Sequence, residues 1–202
     1  MQACPFCTVV QIDSITTRTD LHLAGTERQR LIAALLARRH IILSGPAGIG
    51  KRRLARALAL AVADNHLRQV ITIQGHPWWA AKTGDVARFV EMQTQFSILR
   101  FGYFLEDILR DKTPPPSTRK REGSRHFAVC IMRMSPLEIE FYFRQILRWL
   151  RIRRHNEEST IPLHLIGTYD GESPPLLDDS IRRIAAVVHF TSSFIEEKEG
   201  LE

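Results

Sequence analysis

The chain has 202 residues, of which 44% are hydrophobic and 25% are charged. This is enough for one domain with a full core, in the composition range of ordinary soluble proteins. No apolar run is long enough to span a bilayer, so we expect no membrane association.

The formal net charge of +6 mildly favours acidic partners such as nucleic acid, although an ordinary basic surface explains it equally well. The first seven residues, MQACPFC, lack the charged-then-apolar layout of a secretory signal. We therefore expect a cytoplasmic location.

Residues 1–24 are expected to be an N-terminal extension, and they contain a C-x-x-C pair, Cys4 and Cys7. A structural zinc site needs four ligands, and no second pair stands nearby, so no metal ligand is assigned. A metal shared between two chains is the alternative to an inert terminus. Cys130 lies in an apolar run and is expected to be a buried small hydrophobe.

The globular part is predicted to begin with a helix, with Thr26 as its N-cap and Glu27 in its first turn. Leu31 and Leu35 fall on one face of this helix. A first strand is predicted over residues 40–44.

A glycine-rich loop follows this strand, and a helical pattern rich in alanine and leucine follows the loop. The loop residues are Gly45, Pro46, Ala47, Gly48, Ile49, Gly50 and Lys51. This G-x-x-x-x-G-K sequence between a strand and a helix is typical of a phosphate-binding (Walker A) loop. Its backbone N–H groups and the helix N-terminus face an anion, and Lys51 reaches the terminal phosphates. The alternative is a glycine-rich turn with a surface lysine.

The residue after the lysine departs from the motif. A serine or threonine hydroxyl there holds magnesium, whereas this chain has Arg52. A guanidinium has no acceptor and cannot bind a cation, but it can pair with a phosphate. Nucleotide binding is therefore better supported than hydrolysis.

The middle of the chain contains a predicted strand over residues 70–73 and helical patterns over residues 86–93 and 102–109. Adjacent tryptophans, Trp78 and Trp79, either pack on the core or contact a partner. Residues 112–125 are expected to be a flexible loop. Its basic triplet is either solvated or in contact with a phosphate backbone.

Three further strands are predicted over residues 127–132, 163–167 and 187–190. A helix is predicted between the first two of these strands, and Ser135 and Glu138 are expected to form a capping box at its start. A helix over residues 176–186 and an acidic tail over residues 193–202 complete the pattern. Alternating strands and helices predict a three-layer α/β fold with a mainly parallel five-stranded sheet and helices on both faces. In such a fold, functional residues are expected directly after the strands. The candidates are the phosphate loop, His76, residues 132–135, residues 168–170 and the segment before the fifth strand.

With these elements in place, residues 26–191 resemble an AAA+ ATPase core, a P-loop NTPase domain expected over residues 25–192. Ile166, Gly167 and Thr168 stand where this family carries sensor 1, which implies that Thr168 orients the attacking water. Arg182 and Arg183 stand where it carries an arginine finger, which acts on a neighbouring subunit. Surface arginines at a helix end are the alternative.

Within that family, the closest resemblance is to McrB-type restriction motors, on Gln74-Gly75-His76-Pro77, Phe104-Leu105 and Ile166-Gly167-Thr168. That group uses GTP, so the nucleotide is ATP or GTP. The resemblance also implies a homo- or hetero-oligomer, with nucleic acid as a candidate partner.

Two features of the family are missing. The third strand ends in Met132-Arg133-Met134 rather than in an aspartate–glutamate pair, and the nearest acids are Glu138 and Glu140. With Arg52, this removes the usual Mg²⁺ ligands. We also expect no small helical lid after the fifth strand. Three functions stay open: an ATP or GTP hydrolase, a degenerate module that binds nucleotide or a partner, and, least supported, a small nucleotide kinase.

Overall fold

A computed structural model describes residues 23–63, 67–75, 101–106, 126–154 and 163–191. The strands in these ranges are β1 His40–Gly45, β2 Val70–Gln74, β3 Phe127–Met132, β4 Leu163–Asp170 and β5 Ala185–His189. The helices are α1 Gly25–Ala37, α2 Lys51–Val62, α3 Pro136–Arg154 and α4 Asp179–Arg182. Residues 101–106 are also helical, and Leu67–Gln69 form a short 3-10 turn.

The five strands form one sheet in the order β2-β3-β4-β1-β5. All four pairings are parallel, so the carboxyl ends of the strands lie at one edge. The predicted α/β class with a five-stranded sheet is confirmed. β1 lies between β4 and β5, which places its carboxyl end beside the ends of those two strands.

Successive side chains of the strands enter two different cores because strand side chains alternate between the faces of a sheet. Ile41 and Leu43 pack with α1 and α2 on one face. Ile42 packs on the other face with α3 and with Phe101 and Leu105 of the segment 101–106. Helices therefore cover both faces, which explains the near-continuous apolar runs of the strands.

The strand β3 and the start of α3 agree with the sequence prediction. All six residues of β3 are buried, and Cys130 is among them, where burial raises the pKa of its thiol to about 12. The Ser135 N–H donates to Glu138 Oε2 at 2.8 Å, and the Glu138 N–H donates to Ser135 Oγ at 3.2 Å. The predicted capping box is confirmed.

Thr26 is not the N-cap of the first helix. The Arg28 N–H already donates to Ala24 O at 2.9 Å, so helical hydrogen bonding begins before a Thr26 cap would allow, and no side chain caps this end.

The predicted helix over residues 176–186 is reduced to the four residues of α4. Asp178 Oδ1 accepts the Ser180 N–H at 2.8 Å, which makes Asp178 the N-cap. The residues before Asp178 therefore lie outside the helix. After α4, Ala185 pairs with β1, so strand pairing replaces helix there. Two strands also run further than predicted, β1 to Gly45 and β4 to Asp170, because these two residues pair with each other.

Several predictions concern residues outside the described ranges. They are the extension and its Cys4 and Cys7 pair, His76, the tryptophans Trp78 and Trp79, the helix over 86–93, the loop over 112–125 and the acidic tail. In the part of the chain that is described, no helix is long and apolar enough to cross a bilayer.

Three histidines lie at the amino edge of the sheet, opposite the phosphate loop. His40 Nδ1 accepts the Leu165 N–H at 3.0 Å. His164 Nδ1 lies 3.2 Å from Arg39 O, so this nitrogen must donate. In a neutral His164 ring, Nε2 then accepts from His126 Nδ1 at 3.3 Å. Burial lowers the pKa of both His40 and His164 to about 3, aided by the positive charge of Arg39.

These lowered pKa values make folding sensitive to acid. An unfolded histidine binds a proton below pH 6.5, whereas buried His40 stays neutral down to about pH 3. The stability from His40 is therefore complete above pH 6.5 and is lost as the pH falls towards 3. In His40→Asn, which keeps an acceptor for Leu165 but cannot titrate, we expect the loss of unfolding free energy between pH 7 and 5.5 to be smaller by about 1 kcal/mol.

Urea denaturation of both proteins at the two pH values measures this difference, and any loss of packing in His40→Asn cancels because only the pH dependence is compared. Equal losses in the wild type and the variant would contradict the assignment of a buried neutral His40.

Candidate functional site

The loop that joins β1 to α2 turns on glycines in conformations that other residues rarely adopt. Gly45, Gly48 and Gly50 have φ angles of 145°, 87° and 103°. At Gly45 a side chain is also excluded by space, because a Cβ would lie 2.4 Å from Phe190 O. The sequence GPAGIGK therefore bends sharply where the sheet ends.

The loop is open towards solvent. Ala47 and Gly48 are exposed, and a Cβ on Gly48 would meet no atom within 4 Å. α2 begins at Lys51 without a side-chain cap, so its dipole and first N–H groups are directed at this opening. Arg52 is exposed and does not fill the loop.

Lys51 turns back beneath the loop, and its side chain is only 3% exposed. Its ammonium donates to Gly45 O at 2.8 Å and to Pro46 O, and it lies 2.9 Å from Asp170 Oδ1. These three contacts match the three donors of an ammonium group. A buried positive charge needs such partners because burying it unpaired is strongly unfavourable.

Asp170 reaches the lysine because β4 lies beside β1. The two strands are in register, with Gly45 opposite Asp170, and the Gly171 N–H donates to Gly45 O at 3.0 Å. The second carboxylate oxygen, Asp170 Oδ2, lies 3.3 Å from Arg133 Nε. One carboxylate therefore bridges two cations at the mouth of the loop.

Arg133 follows β3 and has a φ of 58°, the one left-handed residue other than glycine in the described ranges. Its N–H donates to Thr168 Oγ1 at 2.7 Å, and the next N–H, of Met134, donates to Thr168 O at 2.7 Å. On the other side, a Cβ on Gly75 would lie 2.4 Å from Arg133 O. The backbone of Arg133 is thus held between β2 and β4 in a conformation that L-residues avoid.

The residues present do not fit the magnesium site that the AAA+ resemblance of the sequence implies. Glu138 is buried in its capping box, and Glu140 pairs with Arg144 on α3. Asp170 contacts the loop lysine, and both its oxygens face cations. No group of three or more His, Cys, Asp or Glu side chains within the described ranges could hold a metal ion.

The two candidate finger residues lie at the opposite edge of the sheet. Ala185, the first residue of β5, pairs with His40, the first residue of β1, whereas the loop follows the last residue of β1. Six strand residues separate these edges by about 17 Å. Arg182 and Arg183 are exposed there and cannot reach the loop of their own chain.

The structure thus brings together the loop residues, Thr168 and two residues to which the sequence analysis assigned no role. Asp170 and Arg133 fell within the ranges expected after strands, but their pairing depends on the strand order. Thr168, proposed to orient water, is fully buried and accepts the Arg133 N–H. The segment before β5 is separate from this site.

No protein-family model matches the chain, and no curated protein matches it. Among solved structures, C. elegans PCH-2 is similar over 91% of this chain and 47% of that chain, at 19% identity and a TM-score of 0.47. A chain of the HORMA:CdnC:Trip13 complex of E. coli MS115-1 is similar over 91% of this chain and 57% of its own, at 17% identity and a TM-score of 0.46.

A RuvB variant of Thermotoga maritima is similar over 88% of this chain and 44% of that chain, at 15% identity and a TM-score of 0.36. The present chain therefore spans about half the length of the first two structures.

The contact between Lys51 and Asp170 should contribute to stability. Asp170→Asn leaves a buried ammonium with carbonyl partners and no negative charge, and Asp170 itself is 31% exposed. We expect the free energy of unfolding to fall by about 2 kcal/mol, which is less than the loss expected for a fully buried ion pair. Urea denaturation at pH 7 measures this change in the free energy of unfolding.

Glu140→Gln is the matched control, because it removes one carboxylate from an exposed ion pair with Arg144. This change should cost at most about 0.5 kcal/mol. Equal effects of the two substitutions would show that Lys51 does not depend on Asp170.

Proposed function

We propose that this chain is a nucleotide-binding domain of the AAA+ class that binds ATP or GTP through residues 45–51. The observation that carries the proposal is the buried Lys51 ammonium at the mouth of an open glycine loop. The lysine lies beneath glycines with positive φ at the uncapped start of a helix. Backbone N–H groups and the helix dipole favour an anion at this point.

The contacts of Lys51 suggest how a phosphate enters. Gly45 O and Pro46 O fix the ammonium under the loop, while Asp170 supplies the negative charge it needs. A phosphate oxygen carries the same charge and can replace the carboxylate as a partner of Lys51. Loop N–H groups and the dipole of α2 add to the attraction.

Hydrolysis is proposed to be slow or absent. No carboxylate follows β3, where a general base is expected, and Arg133 and Arg52 are cations that cannot accept a proton from water. These residues favour the degenerate nucleotide-binding module over the active hydrolase. Thr168 remains a candidate for orienting water, two residues before the end of β4, the strand next to β1.

A role within a larger assembly is also part of the proposal. Arg182 and Arg183 are exposed at the edge opposite the loop, which suits action on the nucleotide of a neighbouring subunit and not on their own. The assembly is a homo- or hetero-oligomer, with nucleic acid as a candidate partner. The McrB-type grouping is proposed on the sequence segments at residues 74–77, 104–105 and 166–168.

Lys51→Ala tests the proposal directly. Removing the ammonium removes a charge-assisted contact to phosphate, so we expect ATP and GTP affinity to fall by about a hundredfold. Isothermal titration calorimetry measures both affinities, and circular dichroism confirms that the variant is folded.

The control is Arg56→Ala, which removes an exposed positive charge further along the same helix and should leave affinity within about threefold. Equal affinity of the wild type and Lys51→Ala, or no binding by the wild type, would refute the proposed nucleotide site.

A further inference from the structure

Arg133 is positioned at the phosphate loop by constraints on its backbone and by its charge. Its N–H donates to Thr168 Oγ1, and its carbonyl lies close to Gly75, the residue after the neighbouring strand β2. A left-handed arginine persists only where its surroundings impose that conformation. The imposed conformation sends the side chain towards Asp170, with Nε 3.3 Å from Oδ2.

Arg133 and Lys51 share Asp170 as a partner, so both cations lie beside the same opening. Their side chains differ in mobility, because Lys51 is 3% exposed whereas Arg133 is 56% exposed. The lysine side chain is held in place by its partners. The exposed guanidinium of Arg133 can move to contact a ligand that displaces Asp170.

The charge at the opening is strongly positive. Lys51 and Arg133 are two cations on one carboxylate, and the residue after Lys51 is a third cation, the exposed Arg52. Magnesium normally neutralises a bound triphosphate, but Arg52 occupies the position of the metal-binding hydroxyl and no acid follows β3. A guanidinium carries a permanent charge and binds phosphate oxygens in pairs, so it can neutralise the same oxygens without a metal.

We infer that Arg133 replaces magnesium as the counter-charge for the bound triphosphate, so that the ligand of this site is the metal-free nucleoside triphosphate. The inference rests on the proposed nucleotide site and names the form of ligand it selects. Magnesium then competes with the protein for phosphate oxygens. Removal of magnesium should leave affinity unchanged or increase it.

The first test compares wild-type affinity for ATP in EDTA and in excess magnesium, by calorimetry. We expect binding in EDTA to be as tight as in magnesium or tighter. Inorganic tripolyphosphate in EDTA is a second probe, and its binding would show that the polyphosphate itself is recognised. ATP binding that requires magnesium would overturn the inference but leave the Lys51 site intact, whereas no binding in either condition would refute the proposed function itself.

The second test replaces Arg133. Arg133→Gln removes the charge and should weaken metal-free ATP binding about tenfold or more, while Arg133→Lys retains the charge and should recover most of that loss. Arg56→Gln is the control with the same change of charge and should bind as the wild type does. Thermal melting confirms folding of each variant.

The variants also distinguish a role in binding from a role in the fold. If Arg133 acts through charge on the ligand, magnesium should partly restore ATP binding to Arg133→Gln, because the metal then neutralises the phosphates. Equal metal-free affinity of Arg133→Gln and the wild type would overturn the inference. If Arg133→Gln does not fold, the wild-type comparison and Arg133→Lys decide the matter.

Discussion

The ion pair between Lys51 and Asp170 is the contact on which the candidate site depends. A lysine that is 3% exposed needs a partner for each of its three donors, and it finds two loop carbonyls and one carboxylate. The carboxylate is available only because β4 lies beside β1 with Gly45 opposite Asp170. The strand order therefore places a negative charge beside the loop, and this charge stabilises the buried Lys51 ammonium beneath it.

The same arrangement supports the proposal that the loop binds an anion and not a metal ion. Asp170 pairs with Lys51 and Arg133 together, so neither of its carboxylate oxygens is free to hold a cation while these contacts last. A bound phosphate would compete with Asp170 for both cations. A ligand must then displace Asp170, so the strength of the Asp170 contacts limits the affinity of the site for phosphate. The same contacts stabilise the site when no ligand is bound.

Much of the architecture could be predicted from the sequence, because local patterns determine it. The glycine loop, the apolar strand β3 and the capping box at Ser135 are each encoded within a few residues. The pairing of Asp170 with Lys51 was not predictable in this way, since it depends on which strands are neighbours. The left-handed backbone of Arg133 likewise arises from contacts with Gly75 and Thr168, which are distant in the chain.

The central claim is that Lys51 exchanges Asp170 for phosphate. The most direct test is a crystal structure of the chain with a non-hydrolysable ATP analogue in EDTA. The account predicts phosphate in the loop of residues 45–51, with Lys51 Nζ within hydrogen-bond distance of its oxygens and no longer paired with Asp170. Nucleotide bound elsewhere, with the contact between Lys51 and Asp170 intact, would contradict it.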